Sequence, residues 1–224
     1  MLPYGLGLRL ASFRGVCVLC AVDEIESGFL CASCDEKEAW RTEPVRLDVA
    51  GRILSVHCAN YYTGVMKNAM ASFKDQENLH SLPYLVHAIA KAVEALSLPA
   101  ETLILPMPTT HGRLRERGFY PAGILARYVS ALTGFGLYTG VIRTVESVHQ
   151  RYLDKESRQN NLSGVFFVDT PPQAESLLLF DDVMTTGSTF KELASTLWQF
   201  DDGLALSGLC LAHGKAEYDA PKFS

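Results

Sequence analysis

Leu177-Leu-Leu-Phe-Asp181-Asp182-Val-Met-Thr185-Thr186-Gly187-Ser188-Thr189 is the stretch whose reading decides how this chain folds. The apolar run Leu177 to Phe180 has the length of a buried strand and is too short for a free helix. Helix periodicity resumes directly afterwards, with Phe190, Leu193, Ala194 and Leu197 recurring on one face. Thr189 and Glu192 stand three residues apart, the spacing of a capping box at that helix start. A strand–loop–helix unit aims free backbone N–H groups and the positive end of a helix dipole into its loop, and both favour a phosphate. Gly187 lets the backbone approach that anion, and Thr185, Thr186 and Ser188 offer hydroxyl donors. Asp181 and Asp182 would repel a phosphate, so they suit the hydroxyls of a sugar, near Mg²⁺. The unit reads as a ribose-5-phosphate cradle. The plainer alternative is an ordinary strand and capped helix with two acids exposed by chance.

Four apolar residues, two acids, an apolar pair and then Thr-Thr-Gly resemble the phosphoribosyl pyrophosphate motif of type I phosphoribosyltransferases. The resemblance implies that Asp181 and Asp182 engage the ribose 2′- and 3′-hydroxyls. It implies that Thr185, Thr186, Gly187, Ser188 and Thr189 hold the 5′-phosphate. A P-loop is the natural competitor, but the chain contains no Gly-Lys-Ser/Thr.

A chain of 224 residues accommodates one α/β domain and a small appendage. Hydrophobic residues at 48% and charged residues at 20% are proportions of a folded soluble protein, and no stretch is biased enough for disorder. A net charge of −5 argues against a protein that coats nucleic acid electrostatically, while leaving room for a local basic groove. No apolar run approaches the ~18 residues of a membrane span. Met1 to Val16 carries Arg9 and Arg14 and lacks a small-residue cleavage site, so an amphipathic lead-in helix is expected there in place of a signal peptide. A cytoplasmic location follows as the expectation.

Cys17-Val-Leu-Cys20 and Cys31-Ala-Ser-Cys34 are two Cys-x-x-Cys pairs with ten residues between them. Each pair can bring two thiolates to one tetrahedral ion, and the loop between them lets the second pair complete it. In a reducing compartment this spacing indicates structural Zn²⁺, whose binding supplies folding energy that so short a module cannot draw from a core. Cys58 and Cys210 sit in apolar, strand-like segments and read as core residues, and His57 is surplus to a filled tetrahedron. Trp40 to Leu47 reads as a connector with Pro44 as its boundary signal. The expected organisation is a metal module and connector over residues 1–48, then a body over residues 49–224.

From Gly51 onward strands alternate with helical patterns, which predicts an α/β fold with a mostly parallel sheet. Strands are expected at Arg52–Asn60, Thr102–Met107, Leu137–Arg143, Leu177–Asp181 and Leu204–Ala212, with a short one at Val165–Val168. Helices are expected over Gly64–Phe73, Leu79–Ala95, Leu114–Leu132 and Thr189–Phe200. Ligands of such sheets bind beyond the carboxyl ends of the strands. Arg113, Arg115 and Arg117, in the loop after one expected strand, suit an oxyanion, a pyrophosphate or a nucleic-acid backbone. They equally fit a solvated helix start. The polar segment with Gln150-Arg151-Tyr152-Leu153 and Arg158-Gln-Asn160-Asn161 has the length of a lid and equally that of an ordinary surface connection.

In combination these segments resemble the ComF family. They are the N-terminal Cys pairs, Arg-Leu-Arg-Glu-Arg-Gly-Phe, Gln-x-x-Leu with Arg-x-x-Asn-x-x-Gly-x-Phe, and Asp-Asp-Val-x-Thr-Thr-Gly. They occur in the family's order along nearly all of the chain. The resemblance implies a zinc ribbon joined to a type I phosphoribosyltransferase-like domain and a link to natural competence. It makes Lys74, which follows Phe73, a further phosphate contact. Two departures stand out: Tyr120-Pro121 replaces the family's usual Asn-Gln, and Gly112 replaces a usual proline.

Two functions follow. The first is a competence-type protein that binds phosphoribosyl pyrophosphate (with Mg²⁺) or nucleic-acid phosphates through Arg113, Arg115, Arg117, Arg151, Arg158 and Lys74. It would handle incoming single-stranded DNA in transformation beside a helicase or uptake-channel protein, in the cytoplasm or peripheral to the inner membrane. The second is an active phosphoribosyltransferase of nucleobase salvage. The cradle alone favours the enzyme, and the family resemblance favours the binding role. Nothing in the sequence marks a base-recognition hood, although Tyr218 and Phe223 offer aromatic rings.

Overall fold

A computed structural model describes residues 15–25, 28–75, 79–144 and 165–214. The expected lead-in helix before Gly15, Arg151, Arg158 and the segment around them, and the aromatics Tyr218 and Phe223 lie outside the described residues.

The body is a six-stranded sheet in the order β3 (Val45–Val49), β4 (Arg52–Tyr61), β10 (Ala205–His213), β9 (Ser176–Met184), β5 (Leu103–Pro106), β6 (Gly136–Leu137). Every pairing is parallel except that of β3 with β4. Helices cover both faces, which is why β9 begins as an unbroken apolar run: Leu177 to Phe180 are all 0% exposed. One face packs Leu54, Val56, Leu177, Leu179 and Cys210 against Phe190, Leu193 and Leu197 of α6 (Ser188–Phe200). The other packs Ile104, Leu178, Phe180 and Leu209 against α2 (Gly64–Asp75), α3 (Leu82–Glu94) and α5 (Pro121–Thr133). A two-stranded sheet of β7 (Val141–Arg143) and β8 (Phe166–Val168) adds Val141 and Phe166 to the first face. In the N-terminal module, β1 (Gly15–Val16) pairs with β2 (Glu24–Ile25) ahead of α1 (Ala32–Lys37).

Four expectations need correction. The strand expected over Leu137–Arg143 is two, β6 and β7, in different sheets. The chain turns between them because Tyr138 donates its backbone N–H to Ile104 and its hydroxyl to the Thr170 carbonyl. The Gly140 carbonyl also accepts from the backbone of Asp169 and Thr170. The helix expected over Leu114–Leu132 is also two, α4 (His111–Arg117) and α5. Gly118 closes α4 in the left-handed conformation (φ 79°), and Pro121 then opens α5 at a position where a missing N–H costs nothing. The capping box at Thr189 is absent: α6 is capped by Gly187, and Glu192 accepts instead from the Val165 backbone N–H at 3.3 Å. Residues 45–47, read as connector, pair in the sheet as part of β3.

Candidate functional site

Parallel pairing aligns the carboxyl ends of β4, β10, β9 and β5 at one edge of the sheet. β5 ends at Pro106, opposite Phe180, and the Met107 backbone N–H reaches the Phe180 carbonyl at 2.6 Å. The chain leaving β5 therefore passes directly beside Asp181 and Asp182. A cavity of about 900 Å³ opens there, lined by Lys74, Met107 to Thr109, Arg113, Glu116, Arg117, Phe119 to Ala122, Arg143, Asp181, Asp182 and Thr189.

The alternation of β9 sends its two acids to opposite faces. Asp182 turns to the α2 side, where Lys74 Nζ lies 2.7 Å from its Oδ1. Phe73, one residue before that lysine, packs edge-on against Phe119 with ring centroids 5.6 Å apart, fixing α2 to the loop before α5. Asp181 turns to the α6 side, in register with Cys210, and its Oδ1 accepts the Asp182 backbone N–H at 2.9 Å. Burial and then the charge of Asp182 push the Asp181 carboxyl up to about 8, against the backbone bond and Lys74. The two adjacent acids thus sit in different surroundings, one beside a lysine ammonium and one desolvated against the opposite face.

The loop after β9 turns at Gly187, left-handed at φ 73°, where a Cβ would come within 2.7 Å of the Leu47 side chain. Only glycine fits both the torsion and the space. Thr186 accepts the Ser188 backbone N–H at 3.4 Å and donates to the Ser188 hydroxyl at 3.1 Å, while Thr185, Thr186 and Ser188 remain exposed. Thr189 is the loop residue that lines the cavity.

Of the expected cationic contacts, Lys74, Arg113 and Arg117 line the cavity and Arg115, on the same helix, does not. Thr110 caps that helix through the Arg113 backbone N–H at 3.2 Å. Arg143 is a lining residue that sequence reasoning passed over. Its position at the carboxyl end of an expected strand was the available signal. Tyr120, noted only as a departure, is a wall residue whose hydroxyl donates to the Met107 carbonyl at 2.6 Å. Four cations and three carboxylates meet in this one cavity, so a chain that is acidic overall presents a locally basic pocket.

The sulfurs of Cys17, Cys20, Cys31 and Cys34 all lie within 4.8 Å of one another, with Cys20 and Cys31 at 4.0 Å. That spacing fits the corners of a tetrahedron with metal–sulfur bonds of ~2.3 Å. Burial would raise the Cys17 thiol, but the backbone N–H groups of Cys20, Cys31 and Leu19 bring it down to about 6. The Asp23 carboxylate foremost pushes Cys31 up to about 12. Thiolates this close to one another repel unless a cation lies between them. A divalent, thiophilic ion such as zinc is what the donor set suits.

The module is fastened to the body by two acids that follow its last cysteine. Asp35 accepts from Trp40 Nε1 at 2.9 Å, pairs with His87 Nε2 at 2.8 Å and meets Lys91 Nζ at 2.7 Å. Glu38 accepts from Asn60 at 2.8 Å and from the Tyr84 hydroxyl at 2.8 Å. Among the described residues, no helix is long and apolar enough to cross a membrane.

No family model matches the chain. It is 31% identical over 123 residues to competence protein F of Haemophilus influenzae, covering 53% of each chain. It is 29% identical over 114 residues to DNA utilization protein YhgH of Salmonella typhi, covering 50% of each. The chain thus spans about half the length of these relatives. A longer match, 26% identical over 188 residues, covers 82% of the chain and 78% of DNA utilization protein YhgH of Escherichia coli O157:H7. The chain is a homologue of these competence and DNA utilization proteins.

Proposed function

We propose that the protein serves DNA uptake or use and that its cavity holds nucleic-acid phosphates or phosphoribosyl pyrophosphate. The observation that carries this reading is the meeting of Lys74, Arg113, Arg117 and Arg143 around the Asp181–Asp182 pair at the carboxyl edge of the sheet. The relatives' names, competence and DNA utilization, support the DNA side. The cradle supports the phosphoribosyl side through the left-handed Gly187, the exposed hydroxyls of Thr185, Thr186 and Ser188, and the two acids. On this reading the body, residues 49–224, has a type I phosphoribosyltransferase-like fold. Mg²⁺ bound with the diphosphate would supply charge neutralisation beside Asp182. The module over residues 1–48 holds structural zinc and offers a docking surface to a helicase or uptake-channel protein.

Titrating a labelled single-stranded oligonucleotide at several salt concentrations tests the binding role. Affinity should fall steeply with salt, and Arg113→Ala and Arg117→Ala should each lower the log–log slope by about 1 if each neutralises one phosphate. Binding that ignores salt, or none at roughly 50 mM, overturns it. The same cradle is half of what a transferase requires, so a second reading is catalytic. Pyrophosphate release from phosphoribosyl pyrophosphate on addition of a nucleobase would establish that reading, and its absence with every common base would exclude it.

A further inference from the structure

A second cavity, of about 750 Å³, lies beside the first and has a different chemistry. Its walls are Pro106, Tyr120, Ile124, Tyr128, Ala131 and Leu137, with the exposed Arg127 alongside, and no carboxylate lines it. The two cavities alternate along the chain. Pro106 lines the second and Met107 and Pro108 the first; Pro121 and Ala122 line the first and Gly123 and Ile124 the second. Tyr120 lines both, so one aromatic side chain is the partition.

That partition is held at both ends. The Tyr120 hydroxyl is bonded to the Met107 carbonyl at 2.6 Å, and its ring lies over Gly123, where a Cβ would come within 2.3 Å of it. The ring has little rotational freedom left to lose on binding, which is what makes an aromatic a good stacking platform. An apolar chamber with two tyrosines and an arginine, sharing a wall with a polar chamber of four cations, is complementary to a nucleotide unit. The phosphate meets the cations and the base meets the rings.

We propose that this second cavity receives a base of a DNA single strand whose phosphates lie in the first, which rests on the DNA-phosphate reading above. Stacking on tyrosine and arginine takes any base, because every base has a π-face, so the pocket is tolerant of sequence.

The test compares a labelled oligothymidylate with an abasic deoxyribose-phosphate oligomer of the same length, by fluorescence anisotropy at low salt. The proteins are the wild type, Tyr128→Ala and Ala131→Phe, the last filling the chamber without touching the cationic one. Wild type should bind oligothymidylate about tenfold more tightly than the abasic strand, since stacking contributes ~1–3 kcal/mol per base. Both variants should lose that preference, keep the abasic affinity and keep the salt slope. Equal binding of the two strands by wild type, with a steep salt slope, overturns the base pocket and leaves the phosphate groove standing. So does a preference that Ala131→Phe leaves intact in a folded protein, which would give the chamber to another occupant. Failure of both strands to bind overturns the phosphate reading together with the pocket.

Discussion

Lys74 pairs with Asp182 at 2.7 Å and leaves the adjacent Asp181 to the opposite face of β9, beside Cys210. One sequence step therefore separates a carboxylate with its own cation from a carboxyl that keeps its proton to about 8. The pairing also tempers the expectation that Lys74 meets phosphate, because a ligand must compete with Asp182 for that ammonium group.

Lys74→Met should leave the Asp182 side chain, only 12% exposed, without its partner. The expected loss is about 1–2 kcal/mol in urea denaturation, below the cost of a fully buried pair because both groups retain some solvent. Adding Asp182→Asn should recover most of it. Purely additive losses in the double mutant would show that the pair contributes nothing of its own.

Asp181 makes a pH prediction with a definite sign. Its folded pKa of about 8 lies above the ordinary aspartate value, so the native state holds a proton that the unfolded chain has released. That stabilisation is full below about pH 4 and is lost as pH rises through the folded value. Asp181→Asn should flatten this decline, so that the variant melts increasingly above wild type as pH rises from about 4 through that folded value. Parallel melting profiles for the two proteins would refute the raised carboxyl.

Ligand binding sets the opposite demand on the same acids. If they bond the ribose hydroxyls, Asp181→Asn with Asp182→Asn should weaken phosphoribosyl pyrophosphate with Mg²⁺ by about 2 kcal/mol or more in calorimetry, since hydrogen bonds to charged groups contribute most. Unchanged affinity would remove the ribose assignment. A double mutant that is more stable yet binds less would identify the strain at Asp181 as a cost carried for the ligand.

For the cysteine cluster, the purified protein should carry about one zinc, with affinity rising with pH as thiols such as Cys31, at about 12 without metal, are deprotonated on binding. Trp40 is a local reporter, its ring 6.2 Å from that of Tyr84 and 5.7 Å from that of His87. Chelation should shift its fluorescence. A metal-free protein with unaltered Trp40 emission would show that the module folds without the ion.

The legible parts of the sequence were those in which local signals agreed. The apolar run of β9, the periodic face of α6 and the cysteine spacing each arise from a single physical requirement, and the structure carries all three. The illegible parts were decided by tertiary bonds. Tyr138 ends β6 because its hydroxyl and backbone are claimed by Thr170 and Ile104, both distant in sequence. Glu192 leaves its expected cap for Val165 in the same way. At the site, adjacent Asp181 and Asp182 looked equivalent, and only the sheet pleat and the position of α2 separate them. Pro121 after Gly118 was a helix break that could be read; the long apolar pattern on either side concealed it.

Asp35 sits where the cysteine-bearing N-terminal module meets the body and makes the last prediction. Burial would raise its carboxyl, but Lys91, His87 and Trp40 hold it below the ordinary range. A depressed carboxyl stabilises above its unfolded pKa and loses that contribution as pH falls through the lower folded value, so the fastening should hold at neutrality and release in acid. Asp35→Ala removes both ring contacts and the lysine pair at once, while Glu38 still holds Asn60 and Tyr84. The module should then open locally more often without losing its ion. Limited proteolysis within residues 38–44 should run about tenfold faster at pH 7, matching ~1–2 kcal/mol of lost charge-assisted bonding, with zinc content unchanged. Zinc loss in parallel with cleavage would place Asp35 in the integrity of the metal site, and an unchanged cleavage rate would show that Glu38 and the apolar contacts suffice to hold the module down.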